Sequence, residues 1–483
     1  MRLTLRAVHG ARWTTISTAC ITLIQILRLI ILARLLSPRD FGLMAMTMIV
    51  IDACQAYIDL GISAAIIHRQ DATKEQLSSL YWLNIFAGWA VFVIVLLCTP
   101  LIVMMFHEPR VSPLLHVVAL IFFIAPLGQQ FEILLQKELE FNILAKQDII
   151  ASGCAFIIAV VLAATGFGVW ALVWSVFGNI TIKAILLVRM GIKRFRPSLH
   201  FRRADLRGFL SFGLFQMGER AVNYLSERLD QLLIGSLLGA NALGYYNFAF
   251  NLAAQPIMRI NPIITRVAFP VFSKIQHDAE RLKRGYLRVV AFLTTINAPL
   301  LVGLAVVAPL AVPLIFGKKW MESVVLVQIL SLVSLCRSTC NPVGSLQLAK
   351  GRADLGFHWN VFLLIVTVPT IYWGGRIAQA TGVAAALLFL QIALLVPVYV
   401  YLVQPLIGKC ALEYANGILK PILAALLMAF GLVLVRAWNT GFPPYAELAM
   451  LVALGSMLYL LLLHVFDRNA VYEFRSILFH TGS

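Results

Sequence analysis

Apolar runs of about 20 residues recur along the chain from Trp13 to Phe466, each long enough to cross a hydrocarbon core of about 30 Å. No other feature constrains the fold as hard. In lipid every backbone N–H and C=O must find its partner within the protein, which leaves only helices and closed barrels. The every-second-residue alternation of a barrel strand is absent, so the chain reads as an all-α polytopic membrane protein. The runs predict about fourteen transmembrane helices, at 13–33, 42–66, 78–106, 113–136, 146–165, 169–189, 208–235, 243–271, 288–316, 322–349, 355–375, 381–404, 420–438 and 445–466. No connection between them exceeds about 20 residues, which leaves no room for a soluble catalytic domain. Composition agrees: 60% of the 483 residues are hydrophobic and 13% are charged, about half the charged share of a soluble domain.

The first run follows Arg2, Arg6 and Arg12, carries Arg28 within it and lacks a small-residue cleavage site, so it reads as a retained span. The seven cysteines show no metal-knuckle spacing; Cys336 and Cys340 share a helix face, where small apolar packing accounts for them. An even number of spans puts both termini on one side. Sorted on these spans, 25 of the 39 Lys and Arg fall on the terminal side, 7 on the other and 7 within spans. The segments 189–207 and 273–288 dominate the first group. The positive-inside rule therefore predicts cytoplasmic termini, and a shift of one helix would destroy the asymmetry. The net charge of +17 is a topology signal, with some affinity for anionic headgroups, and no basic soluble module exists to bind nucleic acid.

An internal repeat organises the spans. RLLSPRDFG at 34–42 joins the first two, and SLLGANALG at 236–244 joins the seventh and eighth, 202 residues later, with Leu-Leu and the closing Gly in register. Six helices per unit keep the two copies parallel, related by an axis along the membrane normal. The predicted organisation is an N-lobe over 1–190, a basic cytoplasmic linker over 191–207, a C-lobe over 208–407 and two further helices with a tail over 408–483. Pro256, Pro262 and Pro270 are expected to interrupt the eighth span, and Pro299, Pro309 and Pro313 the ninth.

Ionisable groups within spans are expensive, so each is a candidate for function. The basic ones are Arg28, Lys183, Arg220, Arg228, Arg259, Arg266 and Arg337; the acidic ones away from span ends are Asp52, Asp59, Glu219, Glu227 and Asp230. They concentrate on the first two helices of each lobe. Helical spacing puts Asp52, Gln55 and Asp59 on one face of the second span, and Gln255, Arg259 and Arg266 on one face of the eighth. The seventh aligns Glu219, Asn223, Glu227 and Asp230, with Arg220 and Arg228 beside them. One reading is mutual neutralisation across lobes, for example Asp59 with Arg266. The other is a hydrated, partly cationic cavity between lobes for an anionic, hydroxylated cargo, with Arg28, Arg259, Arg266 and Arg220 as its cations. An arginine fork suits a pyrophosphate, to which it donates two parallel hydrogen bonds. Asp52, Asp59, Glu219, Glu227 and Asp230 would couple an ion or pair the arginines. Arg266 and Lys183 lie towards the cytoplasmic ends, where long side chains snorkel.

Several segments resemble the polysaccharide-transporter (Wzx-type) flippases of the superfamily that also holds multidrug antiporters and lipid II flippases. They are LARLLSPRDFGLMAM (32–46), DLGISAAIIHRQ (59–70), LLQKELEFNILAKQDIIAS (134–152), GFGVWALV (166–173), DQLLIGSLLG (230–239), LGYYNFAFNLAAQPI (243–257), FPVFSKI (269–275) and LAKGRAD (348–354). The likeness spans about residues 13–404 and is closest to the colanic-acid type. It implies a twelve-helix core in two lobes plus two helices that hold a lipid tail. It implies the movement of an undecaprenyl-pyrophosphate-linked oligosaccharide from the cytoplasmic to the periplasmic leaflet of a bacterial inner membrane, coupled to H+ or Na+ and serving a polymerase and export machinery. Asp230 and Gly235 match the family's seventh-helix pattern, whereas Glu219 and Arg220 occupy variable positions. Two rivals remain at this point. A multidrug antiporter would want an acidic, aromatic-lined pocket for cations, yet both signs of charge are present. A membrane polymerase or glycosyltransferase would want a large outside loop with catalytic acids or arginines, and the outside loops are short and nearly free of acids.

Overall fold

A computed structural model describes residues 2–58, 66, 73–206, 210–438 and 441–466, with the side chains of 2–12, 56–58, 203–204, 210–227 and 353 not among them. Every long element described is a helix. The first seven are α1 (Arg2–Leu35), α2 (Pro38–Ile58), α3 (Lys74–Phe106), α4 (Val111–Ala119), α5 (Ile121–Lys137), α6 (Phe141–Ala164) and α7 (Val169–Gly191). A long α8 (Leu210–Lys274) follows, then α9 (Ala279–Phe316), α10 (Met321–Cys340), α11 (Pro342–Ala349), α12 (Ala353–Pro397), α13 (Ala411–Trp438) and α14 (Pro444–Phe466).

Ten described helical stretches are long and apolar enough to cross a membrane. One of them, Asp354–Ile407, departs from helical geometry at Ala378 and Gln379, and Gly374 meets the Gly382 backbone across that break, so it holds two crossings. Helix α8 is likewise two arms, broken at Gly239, whose φ of 80° suits only glycine. With α2 and the arms of α8, the helices are consistent with about fourteen spans. The polar seventh span is helical from Leu210 up to that break. Large apolar side chains stay exposed along the helices, Leu97, Met104, Ile377 and Phe389 among them. Such a surface suits lipid and not water. The chain is a multi-pass membrane protein.

The helix ends follow from local chemistry. Thr73 and Gln76 form a reciprocal capping box at the start of α3, with Gln76 N donating to Thr73 Oγ1 at 3.3 Å and Thr73 N to Gln76 Oε1 at 3.1 Å. Asp278 caps α9 by accepting from Arg281 N at 3.1 Å.

Two compact units divide the chain at 244/245. In the first, α6 turns Ala151, Ala155, Ala159 and Ala163 inward at four-residue intervals. That small-residue stripe lets Leu32 of α1 and Leu36 just beyond its end pack close. The repeated turns meet each other here. A Cβ on Gly42 would strike the Ala240 carbonyl, and one on Gly244 would strike the Pro38 carbonyl. Pro38 and Ala240 are themselves 202 residues apart, so the contact is reciprocal about the repeat. This explains why glycine closes both copies of the motif.

In the second unit α9 packs against α10, α13 and α14. The prolines of the ninth span do not interrupt it, contrary to expectation: α9 runs unbroken from Ala279 to Phe316 through Pro299, Pro309 and Pro313. Each proline withdraws a donor from the carbonyl four residues earlier, and for Pro299 and Pro309 a neighbouring helix supplies another. Tyr459 OH of α14 donates to Thr295 O at 2.9 Å, and Gln328 Nε2 of α10 donates to Ala305 O at 3.1 Å. The prolines of the eighth span, Pro256, Pro262 and Pro270, also lie within continuous helix.

Candidate functional site

The first unit has a cavity of about 370 Å³ with a polar wall facing apolar side chains such as Phe122 and Leu187. Its polar wall is Gln55 of α2, Gln129 and Glu132 of α5, and Lys183 of α7. Gly128 allows this wall to form. A Cβ there would come within 3.0 Å of Ala184 Cα, so the glycine lets α5 approach α7 closely. One turn further along the same face of α5, Glu132 Oε1 accepts from Lys183 Nζ at 2.9 Å. Asp148 of α6 completes a triad, with its Oδ1 3.0 Å from the same nitrogen. Gln129 Oε1 accepts from Asn84 Nδ2 of α3 at 3.2 Å.

The three charges share one level of the unit. Glu132 precedes the end of α5 by five residues, Asp148 follows the start of α6 by seven, and Lys183 precedes the end of α7 by eight. At a rise of about 1.5 Å per residue these lie about 8, 10 and 12 Å from the helix ends. Lys183 is therefore held in an ion-paired cluster below the helix ends. The formal charge of the cluster is −1.

The predicted residues are placed as follows. Arg28 of α1 points into its own unit, where its Nη1 donates to Ser175 Oγ of α7 at 3.4 Å and Ser175 Oγ donates to Ala155 O of α6 at 2.9 Å. Asp52 of α2 is half-buried, within electrostatic reach of Arg228 on the first arm of α8. Arg228 Nη1 donates to Gln231 Oε1 at 3.0 Å, and the buried Asp230 accepts from Gln231 N at 2.8 Å. In the second unit Arg259 is half-buried and Arg266 exposed. Asp59 and the side chains of Glu219, Arg220 and Glu227 lie outside the described residues, and with them the pairing of Asp59 with Arg266. The structure thus joins Asp52 to the Arg228–Asp230 segment. It adds Glu132 and Asp148, which the search for acids away from span ends passes over. The one available signal was the polar stripe Gln129, Glu132, Gln136 at helical spacing on α5.

The second unit holds an apolar groove of about 540 Å³ between α9, α13 and α14. Leu300, Val307, Met428 and Leu451 line it, and Gly303 and Gly455 keep it open. The Tyr459–Thr295 bond ties α14 to α9 at this groove. A separate buried cluster joins Asn297 Nδ2 to Asn261 Oδ1 at 3.0 Å and to Ser338 Oγ at 2.8 Å. Among the described residues no three His, Cys, Asp or Glu side chains converge to hold a metal ion, and the cysteines are unpaired.

Comparison with known proteins adds four findings. The profile of the family described as polysaccharide biosynthesis protein matches residues 31–325. The lipopolysaccharide biosynthesis protein WzxC of Escherichia coli K12 is 36% identical over 438 residues, covering 90% of this chain and 89% of that protein. The teichuronic acid biosynthesis protein TuaB of Bacillus subtilis 168 is 36% identical over 482 residues, covering 95% and 96%. Among solved structures, an inward closed conformation of the lipid II flippase MurJ superposes with a TM-score of 0.77 at 14% identity, covering 95% of this chain and 99% of that one. The fold is that of this flippase.

Proposed function

The chain belongs to the polysaccharide biosynthesis protein family, and from that premise we propose that it is a flippase, not an enzyme. Its cargo is an undecaprenyl-pyrophosphate-linked oligosaccharide repeat unit, moved across the bacterial inner membrane by alternating access for surface polysaccharide synthesis. Both termini are cytoplasmic on this reading, which the distribution of Lys and Arg supports. What carries it is the full-length likeness to two polysaccharide biosynthesis proteins on the fold of a lipid II flippase.

Physical chemistry says what such a protein must supply. A sugar hydroxyl moved into hydrocarbon without a partner costs several kcal/mol, about 4–8 on an alkane scale, and a pyrophosphate costs far more. The headgroup therefore needs a hydrated, partly cationic path. Arg28, Arg259, Arg266 and Arg220 are the cations proposed for it, since guanidinium forks match phosphate oxygens. The lipid tail poses the opposite problem. It is as well solvated by bilayer as by protein, so the groove at Gly303 and Gly455 aligns it by packing, with no hydrophobic gain. Downhill flow of H+ or Na+ through the intramembrane carboxylates would drive the cycle, and a polymerase and export machinery would take the product.

The test uses a strain lacking this chain. Wild-type protein should restore surface polysaccharide. The triple substitution Arg28→Ala, Arg259→Ala and Arg266→Ala should abolish it at unchanged protein level. Full export by the triple variant would refute the cationic path, and transport of cationic dyes in place of glycan would mark a multidrug antiporter.

A further inference from the structure

We infer that residues 193–202, the connection leaving α7, form a membrane-surface anchor for an anionic phospholipid. Leu199 and Phe201 enter its acyl chains, and Lys193 and Arg196 hold its headgroup phosphate. The inference goes beyond transport and stands on the first unit alone.

Local hydrogen bonds decide which side chains face outward. From Phe195 to Arg202 the chain runs without helix along the start of α3. Ser198 N donates to Ser78 Oγ at 3.1 Å, Ser198 O accepts from Trp82 Nε1 at 2.9 Å, and Arg202 N donates to Ser79 Oγ at 3.2 Å. His200 Nε2 faces Asp205 Oδ2 at 3.0 Å. Ser198 and His200 are thereby turned towards the protein. The alternate residues point away from it: Leu199 is 94% exposed and Phe201 47%.

Two exposed apolar side chains on a loop would mean little by themselves. Here they adjoin the lipid-facing surface of a span. Trp82, Phe86 and Trp89 share one face of α3 by helical spacing, and Phe86, inside that apolar span, is itself 52% exposed. Phe201 packs edge-on against Phe86, with ring centroids 6.5 Å apart. Trp89 in turn stacks on Phe123 of α5 at 4.8 Å. Aromatic rings gathered near the end of a span mark the boundary between hydrocarbon and headgroups. Phe201 lies at that boundary, and Leu199 projects beside it.

Charge selects the lipid. Residues 191–202 include Lys193, Arg194, Arg196 and Arg202 and no acid. Arg194 is taken by Glu138 and Glu140, at 2.6 and 3.8 Å, and Arg202 lies in electrostatic reach of Asp205. Lys193 and Arg196 are exposed and have no partner among the described residues. The phosphate of phosphatidylglycerol supplies one, whereas a zwitterionic headgroup brings its own cation to compete. Free phosphate would satisfy the two charges and leave Leu199 and Phe201 in water, so a lipid matches the whole segment.

The test is photocrosslinking on the full-length protein in nanodiscs of phosphatidylethanolamine with a minority of phosphatidylglycerol. A benzophenone amino acid replaces Leu199 or, for comparison, the exposed Leu97 on the same helix face region of α3, and captured lipid is identified by mass spectrometry. Position 199 should capture phosphatidylglycerol about fivefold above its bulk share, the preference expected of one cation near an anionic headgroup. Position 97 should capture lipid at bulk composition. Lys193→Gln with Arg196→Gln should return position 199 to bulk composition at an unchanged unfolding midpoint, and Arg196→Lys should keep most of the preference. Absence of captured lipid at 199, bulk composition there, or equal enrichment at 97 overturns the inference in the wild type alone, whatever the folding of the double variant. Enrichment that survives in a folded double variant overturns it too. So does enrichment removed by millimolar inorganic phosphate at matched ionic strength, which would mark a site for the free ion.

Discussion

The polar cavity of the first unit and the apolar groove of the second answer opposite demands. The first sets Glu132 of α5 and Lys183 of α7 in its wall, with Asp148 of α6 paired to Lys183 behind them. The second is built from Leu, Val and Met on α9, α13 and α14, and glycines keep it open. In a membrane these differ in kind. A polar cluster at depth is costly and is retained for what its charge does. An apolar groove costs little and gains little, so its value lies in shape. Charge in one unit and shape in the other fit the lipid-linked cargo proposed above.

The largest effect should come from taking the cation out of the triad. Lys183→Met leaves Glu132 and Asp148 facing each other without compensation. Loss of one partner of a buried pair costs about 3–5 kcal/mol, and the lower end applies because this site is partly hydrated. Export should fall to background and the thermal unfolding midpoint should drop, with Lys183→Arg recovering most of both. Next is Gly303→Leu, which fills the groove without meeting a wall, since Met428 Cε lies 3.8 Å from the added Cβ. Export should fall about tenfold (about 1.4 kcal/mol of cargo alignment) at an unchanged unfolding midpoint. Loss of stability instead of transport would show the groove to be mere packing space.

A smaller effect tests what bounds the groove. Tyr459→Phe withdraws the hydroxyl that replaces the donor lost at Pro299, leaving the Thr295 carbonyl orphaned, at a cost of about 1–2 kcal/mol in a denaturant series. Smallest of all is a polar cluster outside the membrane. Asp205 accepts from Ser79 Oγ at 2.7 Å and faces His200 Nε2 at 3.0 Å, fastening the 189–207 linker to α3. The Ser79 hydrogen bond, and then His200, hold the Asp205 carboxyl below its ordinary value. A depressed carboxylate contributes stability above its unfolded pKa, about 3.9, and loses it only as pH falls through the lower folded value. Tryptic nicking of the linker should thus be flat from neutral pH down to about pH 4, and Asp205→Asn should raise it only slightly. A latch as strong as the triad would erase the contrast between buried and exposed charge.

The sequence was most legible where one helix decides for itself. Span positions follow from runs of apolar residues, and the 34–42 and 236–244 turns could be matched by eye. That those turns touch through Gly42 and Gly244 was not visible, because it depends on the packing of helices 202 residues apart. The prolines misled for a similar reason. Proline removes a donor locally, but Tyr459 and Gln328, which supply another, lie 164 and 23 residues from the carbonyls they reach. The triad is the sharpest case. Glu132 and Asp148 looked like span-end residues taken singly, and only three helices aligned at one depth turn them into partners of Lys183. Arg28 was found as a charge, but its Ser175 partner, 147 residues on, was not.

The central claim is that this chain moves a lipid-linked glycan between leaflets. The direct measurement reconstitutes the purified protein in vesicles with the undecaprenyl-pyrophosphate-linked repeat unit isolated from its own host. The rate at which the glycan becomes accessible to an impermeant lectin is then followed. The account predicts a rate well above protein-free vesicles, slowed by Gly303→Leu and abolished by Lys183→Met. A wild-type rate equal to that of empty vesicles, under either an imposed proton or sodium gradient, would contradict it.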